Sequence, residues 1–251
     1  GRVPRVELGT AVLLPALRNP VLLAHQVATL DQVSEGRLIL GVGIAADRPN
    51  IRAEFEAAGV PFDKRVGRMM EGLRLCKALW SGKPVDWDGR WKVEQGVLAP
   101  TPYREGGPPL WIGGNLQASL ERAGKHFDGW FPIAPPPDLF ATQWADIKQS
   151  ARDAGRDPTR MTGAMYLTVA LDDSAAKAED RLNAFLESYY GVPAAATRKR
   201  QACYMGPEAA FGAYLDAYFK AGATHLMIRF AGGDHKTQME ATARVRSKLG
   251  W

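Results

Sequence analysis

Three short stretches carry residue types from which a ligand site is built. GVGIAA, residues 41–46, spells G-x-G-x-x-A after the apolar run RLIL. Gly113-Gly114-Asn115 follows a second apolar run, LWI, and precedes Leu116, Ser119 and Leu120 at helical spacing. A helix that opens on such a turn points free backbone N–H groups at an anion, with the helix dipole behind them. Arg229, near the end of HLMIRF (residues 225–230), offers positive charge to an anion, and a structural ion pair is the other reading of the same residue.

The first stretch fails as a dinucleotide turn. In that turn the helix begins within the glycines, and an acidic residue about 20 positions later ends the next strand. Here Pro49 falls well inside any helix begun at Gly43, and the residues near Asp63 follow no strand. The glycines instead mark a strand end where missing side chains let a flat ligand approach the backbone, or where they relieve crowding inside a barrel.

Other chemistries find less support. His25, His126, His225 and His235 show no metal-ligand spacing, so no metal is expected. Ser119 and the other serines lack the context of a nucleophile elbow. Cys76 and Cys203 are far apart and read as buried thiols in a reducing compartment.

The elements that position these residues alternate along the chain. Strand signals lie at 6–14, 37–44, 110–114, 129–133, 161–171 and 225–230. Asn19 and Pro20 offer an N-cap and a first-turn proline for a helix through Leu22 and Leu23 to Ala28, and apolar positions recur at helical spacing from Asp63 to Trp80. Helices are also predicted at 139–154, from Pro193, from Pro207 and at 237–249, with a further one carrying Ala178, Leu182, Phe185 and Tyr189 on one face. Asp88-Gly89, between Trp87 and Trp91, predicts a two-residue hairpin turn in an excursion at about 84–98. These two tryptophans either pack within the hairpin or cover a barrel mouth or subunit contact. Six β/α units imply a parallel sheet, doubly wound or closed into a barrel, with ligands at the carboxyl ends of the strands.

Composition bounds the rest. The 251 residues read as one domain, 1–251, with 46% apolar and 24% charged residues. The net charge of +5 is spread out, and its densest cluster, Arg198-Lys199-Arg200, reads as a solvated helix face rather than a nucleic-acid surface. No apolar run reaches 18 residues and no signal peptide opens the chain, so no membrane partner and a cytoplasmic location are expected. The chain starts at Gly1 rather than Met, with a strand signal already at residue 6.

The order of segments resembles the bacterial luciferase-like flavin monooxygenase family. The resemblance is carried by LGTAVLLPALRNPVLLAHQVATLDQVSEGRLILGVG, by EFEAAGVPFDKRVGRMMEGLRLCKALW and by the stretch from LAPTPYREGGPPLWIGG to DGWFPI. It continues through AGRDP and YMGPEAAFGAYLDAYFKAGATHLMIRF. It implies a (β/α)8 barrel of the TIM type in which LGTAVLL is the third strand and LILGVG the fourth, so that the first two β/α units are missing from this sequence.

Function follows from the resemblance as an expectation. It implies a flavin-dependent monooxygenase that uses reduced FMN and oxygen on a small organic substrate, with a separate flavin reductase and a homodimeric assembly. A deazaflavin-dependent hydride-transfer oxidoreductase and a non-catalytic flavin-binding protein are the alternatives. The resemblance places the flavin ring against Ala11 and Val12, where the family carries a non-prolyl cis peptide, and against Gly43 and Ile44. It places the cofactor phosphate at Gly113, Gly114 and Asn115, with Arg229 as a source of charge. Ile44 stands where luciferase has an arginine. No catalytic residue is assigned, because family residues facing the substrate come partly from the first two strands. Asp128 is a family-like position whose role the sequence does not give.

Overall fold

The computed structural model describes residues 5–250, so the opening Gly1 and the final Trp251 lie outside the described residues. The chain divides into two compact units, Gly1–Gly113 and Gly114–Trp251.

In the first unit, β1 (Leu8–Gly9) is much shorter than the predicted strand. Leu8 and Gly9 pair with Leu38 and Ile39. The backbone then leaves the ladder, passes through a cis peptide between Ala11 and Val12, and returns for a single bridge from Leu13 to Val42. Helix α1 (Pro20–Val33) starts where the sequence places it. Asn19 Oδ1 accepts from Val21 N at 2.9 Å and from Leu22 N at 3.3 Å, and Pro20 has no N–H to leave unpaired. Leu23, Ala24, Val27 and Ala28 form its buried stripe, while Val21 and Leu22 face outward.

Strand β2 (Leu38–Val42) ends at the glycine stretch. The next helix, α2 (Pro49–Ala57), takes Pro49 at its first position, so residues 43–48 are not helical and the dinucleotide geometry is absent. The sequence pattern does not reveal α2, because Phe55 is its single buried residue and no apolar period develops. Helix α3 (Arg65–Leu79) buries Met69, Leu73, Leu75, Cys76 and Leu79.

Strands β3 (Val85–Asp88) and β4 (Lys92–Gly96) form the expected hairpin, but Asp88 pairs with Lys92. The loop is therefore the three residues Gly89-Arg90-Trp91 rather than a two-residue Asp88-Gly89 turn. The Glu71 carboxylate on α3 holds it, accepting from Arg90 N at 2.6 Å and from the Arg90 guanidinium, and a Cβ on Gly89 would collide with that carboxylate. Trp91 packs on α3, with the Arg68 guanidinium 4.8 Å from its ring. Strand β5 (Leu110–Ile112) lies parallel to β2, as β1 does on its other side.

The second unit is built on a long central strand. Its elements are α4 (Gln117–His126), β6 (Gly129–Trp130), α5 (Pro137–Asp153), β7 (Thr162–Leu171), α6 (Ala175–Tyr190), α7 (Ala194–Arg198), β8 (Cys203–Gly206), α8 (Glu208–Lys220), β9 (His225–Phe230) and α9 (His235–Lys248). Even-numbered N–H groups of β7 face one edge: Thr162 N donates to Asp128 O at 2.9 Å, Tyr166 N to Pro132 O at 3.0 Å and Thr168 N to Ala202 O at 3.1 Å. Odd-numbered carbonyls face the other, Gly163 O accepting from Thr224 N at 2.7 Å and Val169 O from Ala231 N at 2.8 Å. So β6 and β8 share one edge and β9 takes the other, all parallel.

Two sequence expectations change here. β8 is a parallel strand that the pattern does not predict, since its four residues are mostly half-buried and carry no alternation. On α6 the buried positions are Ala178, Leu182 and Leu186, one every fourth residue, and Tyr189 is exposed rather than on the core face. These residues pack on Ala170, Ala194 and Ala231.

The AGRDP motif gains a structural role. The Arg156 guanidinium donates to Gly124 O at 2.6 Å, to Phe127 O at 2.7 Å and to Asp128 Oδ1 at 3.1 Å. It thereby satisfies carbonyls that the end of α4 would leave unpaired. Asp128 is thus the anchor for that arginine.

Candidate functional site

In the first unit, the structure brings Val12 and Gly43 together. Leu13 N donates to Gly41 O and Gly43 N to Leu13 O, each at 2.9 Å, and Thr10 Oγ1 donates to Gly41 O at 2.7 Å. A Cβ on Gly43 would approach Val12 Cγ2 to 2.6 Å, so the absent side chain relieves crowding by Val12. Ala11 lies on the amino side of the same cis peptide, Val12 is exposed, and Ile44 is half-buried beside Gly43. Gly113 N donates to Val42 O at 3.2 Å. That N–H is committed to the sheet, so the predicted anion turn shortens to Gly114, Asn115 and Leu116.

In the second unit, this turn has a defined polarity. Gly114 O accepts from the Trp130 indole Nε1 at 2.7 Å, and Asn115 O accepts from Gln143 Nε2 at 3.3 Å. In a trans peptide the N–H points opposite to the carbonyl of the same unit. Tying down both carbonyls therefore turns the N–H groups of Asn115 and Leu116 to the other side. Leu116, the N-cap of α4, is extended and supplies no side-chain hydrogen bond, so Gln117 N and Ala118 N keep no capping acceptor, while Ser119 N donates to Leu116 O at 2.7 Å. Gly114 has φ +111°, a conformation that favours glycine, and a Cβ there would sit 3.1 Å from Ser119. The carbonyl oxygen Oε1 of Gln143 is buried with no partner. The donors at the helix start fit an oxyanion, while the Gln143 amide sits on the carbonyl side of the turn. Asn115, Gly114 and α4 are positioned as the sequence implies. Trp130 and Gln143 are additions, and the sequence shows no signal for Gln143, whose partner is 28 residues away.

Arg229 lies in a separate cluster. Its Nη2 donates to Thr168 Oγ1 at 3.0 Å and to the Tyr190 hydroxyl at 3.1 Å. The rings of Tyr166, Phe185, Tyr189 and Tyr190 surround the guanidinium at 5.0 to 5.5 Å. Among the described residues it forms no ion pair with a carboxylate, so the ion-pair reading does not describe it. Burial raises the Tyr166 phenol above its ordinary range, with the Arg229 charge opposing.

Burial also pushes the Cys76 thiol up to about 12, and Cys203 upward as well. Both are free thiols; Cys76 is buried and Cys203 half-buried. Among the described residues there is no group of three or more His, Cys, Asp or Glu placed to hold a metal ion. Among them no helix is long and apolar enough to cross a membrane.

A family model described as luciferase-like monooxygenase matches residues 1–241. A phthiodiolone/phenolphthiodiolone dimycocerosates ketoreductase from Mycobacterium sp. (strain JLS) is 31% identical over 197 residues, 77% of this chain and 50% of that protein. The chain spans about half the length of the curated relatives it matches. Among solved structures, an F420-dependent secondary alcohol dehydrogenase in complex with an F420-acetone adduct superposes with a TM-score of 0.80 at 21% identity, covering 96% of this chain and 78% of that one. The oxygenating constituent of 3,6-diketocamphane monooxygenase from a Pseudomonas putida plasmid, in complex with FMN, gives 0.73 at 18% identity, with 96% and 78% covered. These likenesses show the fold that the resemblance implies.

Proposed function

The chain belongs to the luciferase-like monooxygenase family, and from that premise we propose that it is a flavin-dependent oxidoreductase whose α4 turn holds the cofactor's phosphate. The observation that carries this reading is the pair of tied carbonyls, Gly114 O to Trp130 and Asn115 O to Gln143, which leaves the opposite N–H groups and the uncapped start of α4 facing an anion. In the first unit, Ala11, Val12, Gly43 and Ile44 are the proposed contacts of the flavin ring, with Ala11 and Val12 exposed.

The finer reading is a monooxygenase that takes reduced FMN from a separate reductase and uses oxygen on a small organic substrate, in a homodimer. When bound, the cofactor supplies the redox chemistry. The residues of this chain orient it and withhold water: the turn fixes the phosphate, and Trp130, fully buried behind Gly114, prevents the turn from opening to solvent. A second reading is hydride transfer from a deazaflavin coenzyme. It is supported by the likeness to an F420-dependent alcohol dehydrogenase and by a ketoreductase among the relatives.

Anaerobic titration with reduced FMN and, separately, with the deazaflavin coenzyme tests the choice. Tight binding of reduced FMN followed by oxygen uptake supports the monooxygenase. Binding of the deazaflavin alone selects the second reading, binding without turnover marks a non-catalytic flavin protein, and binding of neither overturns the flavin reading.

A further inference from the structure

Arg229 is fixed by a closed ring of hydrogen bonds. Its Nη2 donates to Thr168 Oγ1 and to Tyr190 Oη; Tyr190 Oη donates to Gln201 Oε1 at 3.1 Å; and Gln201 Nε2 donates to Thr168 Oγ1 at 3.1 Å. Thr168 is fully buried and Gln201 is 5% exposed, so the ring is rigid and largely dry. It lies on the face of β7 away from α5. Gly163 abuts Trp144 of α5, so positions of its parity face that helix, whereas Thr168 and its register partner Arg229 face the opposite way.

Both donors of Nη2 are thereby committed, and those of Nε and Nη1 are not. Among the described residues, Arg229 Nε is buried with no acceptor, Nη1 donates to none, and no carboxylate pairs with the charge. The aromatic rings of Tyr166, Phe185, Tyr189 and Tyr190 offset the charge through their faces but accept no N–H in the guanidinium plane. With Nη2 committed, neither two-nitrogen edge of the guanidinium is free as a fork, and Nη1 is left to donate in the guanidinium plane to one oxygen of a carboxylate or another oxyanion. The surrounding rings suit an apolar or aromatic body attached to that group.

We propose that Arg229 is a specificity-determining residue that receives the acidic group of the substrate, so that the small organic substrate is an organic acid with an apolar or aromatic body. The assignment to substrate rather than cofactor rests on the reading that the α4 turn takes the cofactor phosphate. The residues contacting Arg229 include none of that turn.

The test uses cofactor-free full chain and calorimetric titration with benzoate, with benzamide as the neutral isostere and inorganic phosphate as the bare anion. Benzoate binds, benzamide does not, and Arg229→Gln weakens benzoate at least tenfold. Arg229→Lys, which keeps the charge and loses the planar donor geometry, weakens it by a smaller factor. Unchanged circular dichroism and melting show that each variant is folded; if Arg229→Gln fails to fold, Arg229→Lys and Tyr190→Phe carry the test. Absence of benzoate binding to the wild type, or equal binding to every folded variant, overturns the proposal. FMN and riboflavin are titrated in parallel. If Arg229→Gln weakens FMN but not riboflavin, the arginine serves the cofactor phosphate and the substrate assignment is overturned. Loss of the FMN preference in a variant of the α4 turn, with benzoate binding intact, supports both readings; an unchanged FMN preference there overturns the phosphate turn while the benzoate result stands on its own.

Discussion

The indole Nε1 of Trp130, at the end of β6, donates to Gly114 O at 2.7 Å and so fixes which way the first peptide of the α4 turn faces. Trp130 is fully buried, and its ring lies 4.9 Å from Phe140 and 6.4 Å from Trp144. Trp130→Phe keeps most of this packing and removes the donor, leaving a carbonyl unpaired at a cost of about 1–3 kcal/mol. We expect a lower melting temperature by urea or thermal unfolding and a weaker affinity for FMN, with riboflavin affected less.

Leu116→Asp separates stability from binding. A carboxylate at the N-cap of α4 accepts from the open N–H groups and adds about 1 kcal/mol, or about 2–4 °C in Tm for a chain of this size. The same carboxylate repels a bound phosphate. Calorimetry and thermal melting are expected to move in opposite directions, with Tm rising and FMN affinity falling at least tenfold.

How much of this was legible in the sequence depends on the range of the interaction. Asn19-Pro20 states its own local chemistry, and the helix begins there. The turn at Gly114 and Asn115 is likewise visible, because glycine after an apolar run is a local signal. The Arg229 cluster is not, since its partners Thr168 and Tyr190 lie 61 and 39 residues away. Arg156 and Asp128 are legible only as a motif; their service to the end of α4 needs the fold. α2 and β8 escape detection because neither repeats a buried period long enough to read.

Gly43 and Val12 make a reciprocal pair. Gly43→Ala places a methyl 2.6 Å from Val12 Cγ2 and is expected to cost about 1–3 kcal/mol through overpacking. Val12→Ala in the same chain is expected to restore most of that loss in a double-mutant cycle read by urea denaturation. Additive effects would show that the two side chains do not compete for the space.

The buried carboxylate of Asp31 accepts from Arg104 N at 2.9 Å and from Arg104 Nη2 at 3.0 Å, joining α1 to the segment before β5. Asp31→Asn leaves the arginine without its counter-charge. The expected loss is about 3–5 kcal/mol in chemical unfolding, with the salt dependence of a screened surface pair absent.

Cys76 is buried and its Sγ donates to Pro20 O at 3.2 Å, and burial pushes the thiol up to about 12. The raised value favours the protonated thiol in the folded chain. Its contribution to stability is fully present below the ordinary thiol range near 9.0 and is lost as pH rises towards 12. Mass-resolved alkylation between pH 8 and about 10 is expected to label the half-buried Cys203 first and to reach Cys76 only on unfolding.

The affinity of the full chain for FMN relative to riboflavin, measured in the wild type and in Leu116→Asp, tests most directly whether the α4 turn holds a phosphate. The account predicts that FMN binds at least tenfold more tightly than riboflavin to the wild type and that Leu116→Asp abolishes the difference while riboflavin binding persists. Equal affinities in the wild type, or a preference for FMN that survives the substitution unchanged, would contradict it.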